Sequence, residues 1–127
     1  MRYIEGLITE KLDAAGWYHC EDGPAVVWNN GDYQYRKNGL LHRIDGPASV
    51  RHHAHDQISE AWYVEGKLHR EGGPAVSRYV VDADAVSGKG FLIIVQYWLN
   101  DTLYAHDDYV RQMRRNIINH LINNPIT

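Results

Sequence analysis

Up to Tyr104, apolar and polar positions alternate in short runs that are interrupted every few residues by Gly, Asn, Asp or Pro. Such runs predict β-strands joined by tight turns, each strand with one packed and one wetter face. The stretch Ala25-Val26-Val27-Trp28 leads through Asn29-Asn30-Gly31 into Tyr33-Gln34-Tyr35-Arg36, which reads as two strands and a small loop. After Tyr104 the period changes. Val110, Met113, Ile117 and Leu121, flanked by Ile118 and Ile122, form an apolar stripe at helical spacing, with Arg111, Arg114, Arg115 and Asn119 on the other side. This predicts an amphipathic α-helix over 106–122, favoured at its start by Asp107 and Asp108 and stopped at Asn123-Asn124-Pro125.

The strands repeat. His19-Cys20-Glu21-Asp22-Gly23-Pro24-Ala25 returns as His42-Arg43-Ile44-Asp45-Gly46-Pro47-Ala48 and as His69-Arg70-Glu71-Gly72-Gly73-Pro74-Ala75. A second piece precedes two of these copies: Tyr35-Arg36-Lys37-Asn38-Gly39-Leu40-Leu41-His42, and Trp62-Tyr63-Val64-Glu65-Gly66-Lys67-Leu68-His69. Tyr97-Trp98-Leu99-Asn100-Asp101-Thr102-Leu103-Tyr104 is a third version without the Gly-Pro-Ala block, and it reads as a terminal unit. Asn-Gly, Glu-Gly and Asn-Asp supply residues that tolerate positive φ, so each piece is expected to be a two-residue hairpin. Gly-Pro then sets a second bend, because Pro fixes its own φ and cannot donate to a ladder.

The expected fold is therefore mainly β: an antiparallel β-hairpin repeat array in a single sheet over 1–104, its open end covered by the C-terminal helix, in one domain of 1–127. Two units are lengthened by polar insertions, over 51–57 and 81–90, read as loops that project from the same side of the array.

At these residues the chain resembles the MORN-variant repeats of bacteriophage and giant-virus proteins, in which units similar to tyrosine-leucine-asparagine-glycine-lysine-leucine-histidine-arginine-glutamate-aspartate-glycine-proline-alanine stand in tandem. The resemblance covers residues 17–109 and departs from the pattern at Cys20, at Gly72 and in the two insertions. It implies a β-hairpin array with a structural or protein-contacting role. For a short accessory protein of this kind it implies counter-defence against a host protein, acting as inhibitor or adaptor.

Composition narrows the partners. The 127 residues carry a formal charge of −3 with signs interspersed, so no cationic surface for a nucleic-acid backbone is expected. Residues 1–12 mix Arg2, Glu5, Glu10 and Lys11 among apolar positions, unlike a signal peptide or a membrane span. Cys20 is the only cysteine, so no intrachain disulfide is expected and a cytoplasmic setting fits, that of the host if the protein is viral. Nine Tyr and four Trp against one Phe give rings with a polar tip, suited to a half-exposed sheet.

Candidate contact residues are Trp28, Tyr33, Tyr35, Trp62, Tyr63 and Trp98, with Arg43, Arg70 and Lys89, because interface anchors favour Trp, Tyr and Arg. The leading expectation is a non-enzymatic binding protein whose partner is a host protein. The alternative is a protein that traps a nucleotide signal between aromatic rings and the repeat arginines. Self-association into a homo-oligomer is open, through an edge strand or a helix face.

His19, His42 and His69 recur once per unit, which favours a repeated structural role over catalysis. His53, His55 and Asp56 are the metal candidates, since His53 and His55 share a face if the strand reaches that far. Their spacing matches no established zinc pattern, and a solvated loop tip is the competing reading. A metal-dependent hydrolase built on that loop is the remotest alternative. Cys20 has only His19 assuredly close, so it makes a poor nucleophile, and neither a catalytic set nor a cofactor is expected.

Overall fold

In a computed structural model of the chain, which describes residues 6–82, 84–86 and 88–124, the alternating segments form twelve strands followed by one helix. The strands are β1 (Leu7–Glu10), β2 (Val26–Trp28), β3 (Tyr33–Gln34), β4 (Arg36–Lys37), β5 (Leu40–Leu41), β6 (Ser49–His53), β7 (Gln57–Ala61), β8 (Tyr63–Val64), β9 (Lys67–Leu68), β10 (Val76–Val81), β11 (Lys89–Leu99) and β12 (Thr102–Tyr104); the helix is α1 (His106–Asn123). Eight strands make one antiparallel sheet in the order β1-β2-β3-β6-β7-β10-β11-β12. The protein is mainly β, as the pattern implies. The single sheet expected from the repeats is refined in one respect: β4–β5 and β8–β9 fold away as two-stranded ribbons of their own.

Turn chemistry produces these ribbons. Asn38 and Gly39, Glu65 and Gly66, and Asn100 and Asp101 all take positive φ, the pair of left-handed residues a tight hairpin needs. Asp101 stands where the other turns have Gly, and its side chain accepts the Leu68 backbone N–H at 2.7 Å while its own N–H donates to Leu68 O at 2.9 Å. That link to the preceding ribbon offsets the cost of a non-glycine residue at positive φ.

Neighbouring ribbons join by one recurring set of bonds. The turn N–H groups of Gly39, Gly66 and Asp101 donate to the carbonyls of Tyr18, Leu41 and Leu68. Cys20, Arg43 and Arg70 donate their backbone N–H to Arg36, Tyr63 and Trp98. The series begins one unit earlier than the repeat pattern shows. Leu12 bridges Tyr18, and His19 N donates to Lys11 O just as His42 donates to Tyr35 and His69 to Trp62. This first unit lacks an Asn-Gly pair; Asp13 closes its turn by accepting the N–H groups of Ala15 and Trp17.

Each Gly-Pro-Ala block delivers its alanine to the core: Ala25, Ala48 and Ala75 are all 0% exposed. Val26, Val50, Tyr79 and Leu99 complete the buried set within the sheet.

The insertion over 51–57 is largely strand, a correction to its reading as a loop, whereas in that over 81–90 only Val81, Lys89 and Gly90 are strand and the connection between them keeps its loop reading. Pairing in β6–β7 extends to His53 opposite Gln57, leaving only 54–56 as the turn. In the other, β10 runs to Val81 and β11 starts at Lys89. Ala83 and Ser87 of that connection, and Pro125 of the helix stop, lie outside the described residues. The β2–β3, β6–β7 and β10–β11 turns lie along one edge, tied by His52 N donating to Asp32 Oδ1 at 2.6 Å and Val81 N to Asp56 O at 2.8 Å.

The helix forms where the apolar period places it, but it does not blanket the sheet. Tyr109 is its one buried residue, and Ile117, Ile118, Leu121 and Ile122 are exposed. The stripe predicts an apolar face; nothing in a helical period specifies what covers it.

Candidate functional site

The repeated histidines and arginines are committed to the architecture. Nδ1 of His19, His42 and His69 accepts the backbone N–H of Asn38, Glu65 and Asn100, at 3.0, 3.0 and 3.1 Å. Each imidazole thus holds the first turn residue of the next unit, and the bond assigns the ring proton to Nε2, which in His19 meets Glu21 Oε1 at 2.7 Å.

Arg43 and Arg70 do one job twice. Arg43 lies 4.0 Å over the ring of Tyr35 and Arg70 lies 3.9 Å over that of Trp62. Their Nη1 groups donate to the carbonyls of Pro47 and Pro74, at 3.2 and 3.1 Å, clamping the bend. The glycine of the bend makes room for the guanidinium, since a Cβ on Gly46 would sit 2.5 Å from Arg43 Cζ. Arg43 also donates from Nε to Asp45 at 3.0 Å. Burial works to lower its pKa, but the bond to Asp45 and the rings of Tyr35 and Tyr33 carry the net shift upward.

Cys20 occupies the arginine position in a unit whose ring position holds Lys11. An arginine there would meet an ammonium in place of a π-face, and Gly23 correspondingly faces open space. Cys20 Sγ contacts Asp22 Oδ1 at 3.2 Å and Lys11 Nζ at 3.8 Å, and no imidazole. In the last unit α1 replaces the arginine: Tyr109 packs its ring 4.9 Å from that of Tyr97, donates its hydroxyl to Arg70 O at 2.5 Å and accepts from Gly73 N at 3.3 Å.

The remaining sequence candidates are dispersed. Trp98 Nε1 donates to Gln96 Oε1 at 3.1 Å. Lys89 pairs with Glu60 at 3.3 Å and lies over Tyr79, whose hydroxyl burial pushes up to about 12. Trp28, Tyr33 and Tyr63 come together around an open groove of about 880 Å³.

The metal candidates separate. His53 ends β6 with Nε2 at 2.7 Å from Ser59 Oγ, whereas His55 and Asp56 sit in the following turn at positive φ. They do not share a strand face, and among the described residues no group of three or more His, Cys, Asp or Glu is gathered.

Two features escaped the sequence reading. The first is the far end of the sheet. β12 pairs only with Tyr97, Trp98 and Leu99, so along residues 89–96 the outer edge of β11 carries no described strand. On that stretch Phe91, Leu92, Ile93, Ile94 and Val95 are all exposed, Phe91 at 70%. The second is a polar sheet face where Arg51, Ser59 and Arg78 stand side by side in register. Its signal was available, because Arg51 and Arg78 each follow a Gly-Pro-Ala alanine by three residues.

No protein-family model, curated protein or solved structure matches the chain. Its class, a mainly β hairpin array with a C-terminal helix, comes from the fold itself, and none of its described helices is long and apolar enough to cross a membrane.

Proposed function

We propose that the protein is a non-enzymatic protein-binding module that works through the end of its array, using the outer edge of β11 and the exposed apolar stripe of α1. The observation that carries this reading is the exposure of five consecutive apolar residues on a strand edge that no described strand covers. Such an edge presents a row of unpaired N–H and C=O groups to an incoming strand, and apolar side chains along it are a liability unless something covers them. α1 adds Ile117, Ile118, Leu121 and Ile122, the last 69% exposed. The expected occupant is a protein that contributes an edge strand and apolar side chains; the repeat resemblance suggests a host protein.

An adaptor or inhibitor role needs no catalytic set. The recurring His and Arg side chains are occupied in holding turns, and Cys20 Sγ is engaged by Asp22 and Lys11. The test is affinity purification from the cells in which the protein is made, using wild type, Ile93→Lys and Ile118→Glu. One protein should co-elute near stoichiometry with wild type and be lost from both variants while their melting temperatures hold. Equal recovery with all three contradicts the assignment.

A further inference from the structure

Counting three residues from the buried alanine of each Gly-Pro-Ala block gives Trp28, Arg51 and Arg78. Register brings the three onto one row. Val27 pairs with Tyr33 and Tyr33 with Val50, so Trp28 stands one step along from that line, level with Asp32 and Arg51. Arg51 pairs with Ser59, and Ser59 with Arg78. Directly paired residues project from the same face. Diagonal contacts on that face agree: His53 Nε2 lies 2.7 Å from Ser59 Oγ, and Arg78 Nε donates to Gln57 Oε1 at 2.9 Å.

The face carries two guanidinium groups, Arg51 and Arg78, against the carboxylate of Asp32 in the same row. Arg51 is exposed and makes no hydrogen bond or ion pair among the described residues, and Arg78 bonds only to the neutral Gln57. Asp32, the carboxylate of the adjoining turn, is committed to His52, accepting from its backbone N at 2.6 Å and lying 2.8 Å from its Nδ1. Glu60 projects from the opposite face, where Lys89 meets it. His53 feels this surplus: burial and then the neighbouring Arg78 and Arg51 hold its imidazole below the usual value.

Backbones two strands apart are separated by about 10 Å, close enough for two long guanidinium side chains to converge on one anion above Ser59. Trp28 opens into the groove of about 880 Å³, which Arg51, Asp32, Gln34, Ser49 and Tyr63 also line. That volume lies within the range of small-molecule sites. We infer that this face binds a nucleoside diphosphate, its pyrophosphate held by Arg51, Ser59 and Arg78 and its base stacked on Trp28. Planar rings stack on bases, and guanidinium groups pair phosphate oxygens two at a time. Arg43 and Arg70, the repeat arginines, are already spent on Pro47 and Pro74. The row continues from Arg78 to Ile94 on β11, so the site adjoins the protein-contacting edge while its anion-binding groups lie on β6, β7 and β10.

Titration calorimetry of the intact chain with ADP, pyrophosphate and adenosine tests it. ADP and pyrophosphate should bind, adenosine should not, and Arg51→Ala should weaken both anions by about tenfold or more. Arg78→Lys, which keeps the charge but loses the paired donors, should also weaken both. Trp28→Ala should weaken ADP and leave pyrophosphate unchanged. Melting curves identify any variant that fails to fold, and Arg51, with no internal contact, gives one that folds. Absence of binding by ADP and pyrophosphate at millimolar concentration overturns the proposal. So does an affinity for both that Arg51→Ala leaves intact.

Discussion

At the joint between the ribbons β4–β5 and β8–β9, nearly every polar group has a partner in the next unit. His42 holds the Glu65 turn, Arg43 closes the Pro47 bend and stacks on Tyr35, and Gly66 donates back to Leu41. At the far end the same architecture stops. β12 covers only the last residues of β11, Tyr109 alone of α1 is buried, and apolar side chains on strand and helix face outward. A repeat satisfies itself by borrowing from its neighbour, so the unit without a following neighbour keeps its unmet contacts. In this chain the last Gly-Pro-Ala bend keeps its own clamp, Arg70 on Pro74, to which Tyr109 adds bonds at Arg70 O and Gly73 N, and the surplus falls on β11 and α1.

Substitutions at the joints should therefore cost stability, whereas those at the end should cost contacts. The largest effect is expected from Ala48→Leu, which forces three extra carbons into a site with no exposed surface; urea denaturation should show a loss of about 1–3 kcal/mol. Ile93→Lys on β11 should stay within about 0.5 kcal/mol in the same assay. Comparable losses at the two positions would erase the distinction.

Tyr109→Phe keeps the ring against Tyr97 but removes the hydroxyl that bridges Arg70 O and Gly73 N. A loss of about 1–2 kcal/mol is expected, because a partly buried carbonyl and amide lose their partner together. If the melting temperature is unchanged, the helix is not anchored through that bridge.

A smaller effect depends on pH. Burial works to raise the Asp32 pKa, but bonds from the His52 backbone and ring and from Asn30 outweigh it and hold the carboxyl below its ordinary value. A carboxylate lowered in the folded state contributes fully above its unfolded pKa of about 3.9 and loses that contribution as the pH falls through the folded value. Stability measured from pH 5 downward should thus decline less steeply in Asp32→Asn than in wild type. Identical slopes would remove Asp32 from the edge that links the turns.

The smallest change is expected from Cys20→Arg. It restores the repeat consensus but faces Lys11 where a ring would be needed, so stability should move by no more than about 0.5 kcal/mol. Marked stabilisation would mean that the guanidinium finds another partner.

The three tight hairpins were legible because a pair of positive-φ residues leaves a local signature, Asn-Gly, Glu-Gly or Asn-Asp, that needs no tertiary context. The first unit was not, since Asp13 closes its turn through side-chain bonds that share no residue pair with the others. The arginines at 43 and 70 looked like contact residues because their type favours interfaces; that each reaches over a ring to a proline carbonyl depends on a bend no spacing rule describes. The row of Trp28, Arg51 and Arg78 was within reach once the buried alanine is taken as the origin of each unit. The uncovered stripe of α1 was not: periodicity fixes which side of a helix is apolar, and only packing decides whether that side is used.

Amide hydrogen exchange on the isolated chain and on the complex recovered by affinity purification tests the division most directly. The account predicts slow exchange in β6, β7 and β10 in both samples, fast exchange at the outward-facing amides of residues 89–96, those not bonded to β10, and in the later turns of α1 in the isolated chain, and protection of those two sets alone in the complex. Protection gained instead at the 29–32 and 54–56 turns, with β11 unchanged, would contradict it.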